Sequence, residues 1–173
     1  MPSLSTVGPL GVRVVTRMER HLPEIQRGFD SGVVASTTIY HLPRSLSVDA
    51  ASLAETKRSR DRPQYSIVVG RRVVGVCSLR APVFAGAELT IAIFDADYRG
   101  AGVGTFAVRT LCATAFDKLH VGRVELGVYP ENERAIRCYE RCGFAREAVL
   151  RRFIYHDGAW RDLLWMARTN GAP

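Results

Sequence analysis

The spacing of hydrophobic positions changes repeatedly along the chain, and each change predicts a new element. Short apolar runs rich in β-branched residues predict strands, whereas apolar residues three and four positions apart predict amphipathic helices. Strands are predicted at 12–16, 65–69, 73–79, 88–94, 123–128, 144–156 and 159–166, and helices at 19–29, 47–60, 101–119 and 132–142. This order favours an α/β fold with one mixed β-sheet of about seven strands and helices on both faces.

The chain has the length and composition of a single globular domain. It contains 173 residues, of which 47% are hydrophobic and 24% are charged. Proline and glycine at positions 2, 8, 9 and 11 predict a loose N-terminal lead-in over residues 1–11. We assign residues 12–168 to one domain and residues 169–173 to a C-terminal tail.

Charge and cysteine content narrow the classes of function. The net charge of +7 suits a polyanionic ligand, but it would equally suit nucleic acid or an acidic protein. No zinc-finger spacing or basic run interleaved with aromatic residues is present, so we predict no nucleic-acid partner. The four cysteines form no C-x-x-C pair, and we predict no metal site. No apolar run has the length of a membrane span and no secretory signal is visible, so we predict a cytoplasmic protein without a membrane partner.

A glycine-rich segment follows the predicted strand 88–94 and opens the next predicted helix. Arg99 is followed by glycines at the alternate positions 100, 102 and 104. Glycine lets the backbone turn tightly and bring its N–H groups close to a ligand, and a helix N-terminus attracts anions. This arrangement predicts a phosphate-binding turn, although a simple glycine-rich connection is an alternative. The turn fits the P-loop poorly because no lysine follows Gly104, and it fits the dinucleotide fingerprint poorly because its third glycine falls one residue early.

Two motifs carry a resemblance to a known family. The first is Arg-x-x-Gly-x-Gly, which begins at Arg99. The second is Asn-x-x-Ala-x-x-x-Tyr-x-x-x-Gly-Phe, which begins at Asn132 and ends at Phe144. With one helix and one strand between them, they resemble the GNAT family of acyl-CoA-dependent N-acetyltransferases. The resemblance covers residues 12 to 167, although outside the motifs only the order of elements matches.

The resemblance implies how acetyl-CoA would bind. The turn would hold the pyrophosphate through its backbone N–H groups, with additional charge from the arginine; its residues are Arg99, Gly100, Ala101, Gly102, Val103, Gly104 and Thr105. The main chain of Ile93 and Phe94 would contact the pantetheine arm, and one N–H would polarise the thioester carbonyl. Asn132 would bond the pantetheine amides, and the small Ala135 would leave room for the arm. The side chains of Ile93 and Phe94 are expected to lie in the core.

Two residues are predicted to carry the proton transfers. Tyr139 shares a helix face with Asn132 and Ala135 and is the predicted proton donor to the departing thiolate; the alternative is a core-packing tyrosine. By resemblance, Glu88 is the predicted base that takes the proton of the amine. The alternative is a solvated charge at a strand end, and Glu125 on the adjacent strand is the second base candidate.

These observations predict an enzyme that transfers an acetyl group from acetyl-CoA to a primary amine by direct attack in a ternary complex. A small-molecule acceptor is predicted, with residues 28–62 and 81–88 as the segments that select it. The alternatives are acetylation of a protein N-terminus or lysine, and a non-catalytic acyl-CoA-binding module. A homodimer is common among the relatives, and the sequence leaves the oligomeric state open.

Overall fold

A computed structural model describes residues 7–30, 51, 53–54, 62–83, 86–156 and 158–171. The strands are β1 Val12–Thr16, β2 Gln64–Val69, β3 Arg72–Val83, β4 Gly86–Ile93, β5 Arg123–Val128, β6 Ala145–His156 and β7 Ala159–Thr169. The longer described helices are α1 Leu22–Asp30, α2 Val103–Lys118 and α3 Glu133–Glu140. Short 3-10 turns lie at Pro9–Gly11, Glu19–His21 and Ala96–Tyr98. None of the described helices is long and apolar enough to cross a membrane.

The strands form one seven-stranded sheet in the order β1-β2-β3-β4-β5-β7-β6. Every neighbouring pair is antiparallel except β4 and β5, which run parallel. The parallel pair is possible because α2 forms the crossover connection between these two strands. The predicted mixed sheet of seven strands is confirmed.

Helices cover both faces of the sheet, as predicted. On one face, α2 and α3 bury Val103, Leu111 and Ile136 in the larger core cluster. On the other face, α1 buries Leu22 and Ile25 in a smaller cluster. Side chains of a strand alternate between the faces, so consecutive residues of β4 lie on opposite sides of the sheet.

Several predicted boundaries differ from the structure. Helix α2 begins at Val103 rather than at residue 101, because Gly100 and Gly102 adopt φ angles of +78° and +82° and form a turn. Strands β3 and β4 extend into the segment 81–88, although the predicted strands end at residue 79 and begin at residue 88. The predicted helix 47–60 lies outside the described residues except for 51, 53 and 54, which are helical.

The chain ends also differ from the sequence prediction. The lead-in is not loose throughout, because a Cβ on Gly8 would lie 2.5 Å from the Phe106 ring, so this residue packs closely on α2. Residues 1–6 lie outside the described part of the chain. Strand β7 continues to Thr169, the first residue of the predicted tail.

A buried histidine links α1 to the sheet and predicts a pH dependence of stability. The His21 ring nitrogen Nδ1 lies 3.0 Å from Ser66 Oγ and accepts a hydrogen bond from the Met18 N–H. Burial, followed by the positive charge of Arg20, lowers the pKa of His21 from its ordinary value of 6.5. The unfolded chain therefore binds more protons in this range, and stability falls as the pH drops below 6.5.

We expect the melting temperature to fall between pH 7.5 and pH 5, and to fall less in a His21→Gln variant. Thermal unfolding followed by circular dichroism at both pH values measures the difference. Equal decreases in the two proteins would show that His21 is not the group responsible.

Candidate active site

The parallel strands β4 and β5 separate shortly after they begin. Only two residue pairs join them, Ala87 with Val124 and Glu88 with Glu125. Beyond these pairs the two strands no longer form a ladder, although β4 continues to Ile93. A cleft therefore opens between adjacent strands in the middle of the sheet.

The backbone of Ile93 faces this cleft. The N–H of the next residue, Phe94, donates to the Val74 carbonyl oxygen at 3.2 Å, so it points toward β3. Hydrogen-bonding direction alternates along a strand in an antiparallel pair. The N–H and C=O of Ile93 therefore point the other way, toward β5.

A hydrogen-bonded turn connects the end of β4 to α2. The Asp95 carboxylate accepts a hydrogen bond from the Asp97 N–H at 3.2 Å and pairs with Arg72 at 2.8 Å. The Arg99 Nε–H donates to the Ile93 carbonyl oxygen at 2.9 Å. Position 96 is an alanine, and side-chain hydrogen bonds of Asp95 and Arg99 hold the bend.

The first turn of α2 presents its backbone to the cleft. Its N-cap residue, Gly102, makes no side-chain capping bond, and the first turn contains no acidic residue. A Cβ on Gly104 would meet only the Cys138 sulfur, at 3.8 Å. An anion could therefore approach the helix N-terminus closely, where unpaired N–H groups and the helix dipole would stabilise it.

A cavity of about 540 Å³ occupies the cleft and extends to α3. Four arginines line this cavity: Arg99, Arg109, Arg134 and Arg141. Within the described part of the chain, no acidic residue lines it. Burial, followed by the charge of Arg134, lowers the pKa of Arg99. Such crowding of positive charge is unfavourable without an anion, and a bound phosphate group would relieve it.

Helix α3 supplies the opposite wall. Asn132 caps this helix, and its Oδ1 accepts a hydrogen bond from the Ala135 N–H at 3.2 Å. Ala135 and Tyr139 line the cavity on the same helix face. The Tyr139 ring is buried with its centroid 6.0 Å from that of Phe144. Burial raises the pKa of Tyr139, with a smaller contribution from the neighbouring thiols, so its hydroxyl stays protonated at neutral pH.

The sequence profile described as "Acetyltransferase (GNAT) domain" matches residues 18–145. This range includes the separating strands, the glycine turn and α3. The chain belongs to the GNAT acetyltransferase family.

Individual GNAT proteins resemble the chain to different extents. A probable N-acetyltransferase, YjcK, from Bacillus subtilis is 35% identical over 102 residues, which cover 57% of this chain. The match spans 56% of that relative, so the chain covers about half of its length. Spermidine N-acetyltransferase from Vibrio cholerae, solved with CoA and spermine, superposes with a TM-score of 0.82 at 18% identity, covering 91% of this chain and 95% of that one. Ribosomal-protein-S5-alanine acetyltransferase from Vibrio fischeri superposes with a TM-score of 0.81 at 18% identity, covering 94% and 96%.

The structure brings most of the residues suggested by the GNAT motifs to one cavity. Those that line it are Ile93, Arg99, Gly100, Gly102, Gly104, Thr105, Asn132, Ala135 and Tyr139. Ala101 and Val103 are not among the lining residues, and the Val103 side chain is fully buried in the core. Only their backbone is available for the predicted role in the GNAT turn.

Phe94 does not contribute to the cavity. Its side chain packs on the α1 face, with its ring centroid 6.1 Å from that of Phe29, and its N–H is bonded to Val74. The Phe94 N–H therefore points away from the cleft, and Ile93 is the one of the two residues whose backbone faces it. The expectation that the Phe94 side chain lies in the core agrees with the structure.

Glu88 lies on the other side of the sheet from the glycine turn. It is 5% exposed and forms an ion pair with Arg80, so the alternative of a solvated strand-end charge does not hold. The physical reason is that β4 begins at Gly86, which places Glu88 inside the sheet. Glu125 lies beside it in the ladder and pairs with Arg123 at 3.1 Å.

Sequence reasoning missed three of the four arginines. Arg109 lies one helical turn after Thr105, and Arg134 and Arg141 lie within or beside the second GNAT motif. Residues four apart share a helix face, so the spacing from Thr105 could have predicted that Arg109 lies on the same face of α2. The convergence of these side chains with Arg99 depends on the tertiary fold and had no signal in the sequence.

Proposed function

We propose that this protein transfers an acetyl group from acetyl-CoA to a primary amine by direct attack in a ternary complex. The observation that carries the proposal is the cleft between β4 and β5, which has the glycine turn at its mouth and Tyr139 in its wall. Acetyl-CoA supplies the activated acetyl group, and the chain supplies the binding, alignment and proton transfers.

The glycine turn and the arginines are suited to the phosphates of acetyl-CoA. The N–H groups at the start of α2 would bind the pyrophosphate, and the four lining arginines would balance its charge. Asn132 and Ala135 would lie along the pantetheine arm. The cavity volume of about 540 Å³ is within the usual range for small-molecule sites.

Thioester alignment is assigned to the end of β4. The Ile93 N–H points into the cleft and could donate to the carbonyl oxygen as negative charge develops there. The Arg99 Nε–H donates to the Ile93 carbonyl oxygen at 2.9 Å, which fixes the peptide that follows this donor and so holds the end of β4 in place. A preorganised donor of this kind accelerates acyl transfer because it stabilises the transition state more than the ground state.

We assign the base to Glu88 and the proton donor to Tyr139. The two lie on opposite faces of the sheet, so an amine approaching from the α1 face and acetyl-CoA bound beside α2 could meet in the gap. Glu88, at the last paired position of the ladder, would accept the proton of the amine. Tyr139 would donate to the departing thiolate.

The Glu88 assignment predicts a defect that depends on pH. Glu88→Gln keeps the size of the side chain but removes its basicity, so we expect turnover at pH 7 to fall about 100-fold. The rise of the rate with pH should shift to higher pH, because the amine must then lose its proton to solvent. Steady-state rates from pH 6 to 10 measure both effects.

Glu125→Gln is the matched control for this experiment, since Glu125 is the adjacent carboxylate in the ladder. We expect this variant to retain most of the activity. A normal profile for Glu88→Gln together with a defective Glu125→Gln would transfer the role to Glu125.

We propose a small-molecule amine as the acceptor. Of the two structurally similar proteins described above, one is a spermidine acetyltransferase and the other a ribosomal-protein acetyltransferase. Acetylation of a protein N-terminus or lysine is therefore the second candidate. The burial of the Glu88 carboxylate supports a compact acceptor. We also propose a cytoplasmic location, where the four free thiols would remain reduced.

Release of free thiol from acetyl-CoA across a panel of amines tests the proposal. The panel includes polyamines, amino acids, aminoglycosides and peptides with a free N-terminus or lysine, and a thermal shift with CoA is measured in parallel. Turnover with a small amine supports the proposal, and turnover with peptides alone would favour the protein acceptor. A thermal shift without turnover would indicate a binding module, and the absence of a shift would refute the cleft assignment.

A further inference from the structure

One of the four thiols lies in the wall of the cleft. Cys77, Cys112 and Cys142 are buried, whereas Cys138 is half-buried and lines the cavity. The mechanism proposed above gives Cys138 no role. Its position beside the glycine turn nevertheless places a nucleophilic sulfur where acetyl-CoA would bind.

The first turn of α2 and the end of α3 hold this sulfur between them. The Cys138 Sγ lies 3.2 Å from the Thr105 Oγ1. It would also lie 3.8 Å from a Cβ placed on Gly104. The Cys142 S–H donates to the Thr105 carbonyl oxygen at 3.7 Å, and Cys142 lies one helical turn after Cys138. Two thiols and one hydroxyl thus converge beside the N-terminus of a 16-residue helix.

These neighbours stabilise the thiolate form of Cys138. The interaction with the neighbouring Cys142 thiol, the bond to Thr105 and the charges of Arg141 and Arg109 together outweigh burial and lower the pKa of Cys138. The contact with Cys138 raises the pKa of Cys142, which therefore remains a thiol. Cys138 and Cys142 also raise the pKa of the adjacent Tyr139.

The other thiols are expected to be inert by comparison. Burial raises the pKa of Cys77 to about 12 and that of Cys112 to about 11. Thiolate is the reactive form of cysteine, and access to a reagent is the second requirement. Cys138 combines both properties.

We propose that Cys138 is a site of reversible S-thiolation by small disulfides, and that the attached group closes the acetyl-CoA cleft. This regulation rests on the proposed function, since it concerns the same cleft. The Cys138 thiolate attacks one sulfur of the disulfide, forming a new S–S bond as the original one breaks. The displaced half leaves as a thiolate and takes a proton from water, and a reducing thiol reverses the exchange.

The geometry explains why such a group would exclude acetyl-CoA. The sulfur faces the space above Gly104 and Thr105, which are the residues assigned to the pyrophosphate. A substituent on the Cys138 sulfur would extend into the cavity of about 540 Å³, because Cys138 lines this cavity. The thiolated protein would keep its fold and lose its cofactor site.

The test treats the intact protein with glutathione disulfide and follows adduct formation by intact-protein mass spectrometry and peptide mapping. We expect a single adduct on Cys138, and none at that position in Cys138→Ser. Its rate should change much less between pH 7 and 8 than that of a thiol of ordinary pKa, which would react roughly eightfold faster at the higher pH. Cys142→Ala should shift this profile to higher pH, and Cys112→Ser should leave it unchanged.

Desulfo-CoA, which lacks the reactive sulfur, tests the competition. We expect it to slow adduct formation at least tenfold and to raise the melting temperature of the untreated but not of the thiolated protein. Dithiothreitol should restore the shift. The absence of an adduct on Cys138, or an adduct that leaves the desulfo-CoA shift intact, would overturn the proposal. If desulfo-CoA does not raise the melting temperature of the untreated protein, the proposed function is refuted, and the proposed competition with it. If desulfo-CoA raises the melting temperature normally but no adduct forms on Cys138, only the thiolation is refuted.

Discussion

Replacing Gly104 with tryptophan is expected to abolish CoA binding without disturbing the fold. The φ angle of Gly104 is outside the left-handed region, and an added Cβ would meet only the Cys138 sulfur at 3.8 Å. The indole would instead enter the cavity and prevent phosphates from reaching the backbone N–H groups of α2. We expect affinity for CoA to fall at least about 100-fold, or about 2.7 kcal/mol, in isothermal titration calorimetry.

Gly122→Trp provides a matched control. This glycine also lacks a left-handed φ, and a Cβ there would meet nothing within 4 Å. It lies just before β5 and does not line the cavity. We expect normal CoA binding by this variant. Binding that persists in Gly104→Trp would show that the phosphates lie elsewhere.

The second large effect is expected from Tyr139→Phe. Removing the hydroxyl while keeping the ring preserves the packing against Phe144 and removes the proposed proton donor. We expect kcat to fall about 100-fold, because general acid catalysis contributes roughly 10²–10⁴ to a rate. Affinity for CoA should stay within about threefold, since the phosphates would be held by the glycine turn. Steady-state kinetics and calorimetry on the same preparation separate the two quantities.

The raised pKa of Tyr139 also predicts how the rate of the parent enzyme depends on pH. Because burial raises it above the ordinary value of 10, the parent enzyme should show no loss of rate between pH 7 and pH 9 from ionisation of this residue. Tyr155→Phe, on the exposed β6 strand, is the control that should leave kcat unchanged. A parental kcat in Tyr139→Phe would assign the residue to packing instead.

Features set by neighbouring residues could be predicted from the sequence. The glycine turn depends on a few consecutive positions, and Gly100 and Gly102 adopt the left-handed φ angles that favour glycine. The shared face of Ala135 and Tyr139 follows from helical spacing alone. The seven strands were predicted from local alternation, although their ends were shifted by up to several residues where β3 and β4 continue beyond the apolar runs.

Features set by distant parts of the chain could not be predicted. Phe94 follows a strand that faces the cleft, yet the bend places its ring against Phe29 of α1. The burial of Glu88 depends on its partner Arg80 and on the early start of β4. No local pattern encodes these contacts, because each requires elements that are distant in sequence to pack together.

The two-pair ladder between β4 and β5 has a mechanical consequence. Strands β1–β4 and strands β5–β7 form two antiparallel halves of the sheet, and the ladder that connects them contains two residue pairs. Of the strand pairs in the described sheet, β4 and β5 share the fewest paired residues. The two halves of the sheet should therefore separate there first when the molecule is pulled mechanically. A molecule lying along the gap would bridge the two halves over the length of β4 that has no partner strand. A ligand bound in the cleft should therefore raise the force needed to separate the two halves of the sheet. Such a ligand would stabilise the sheet mechanically in addition to reacting.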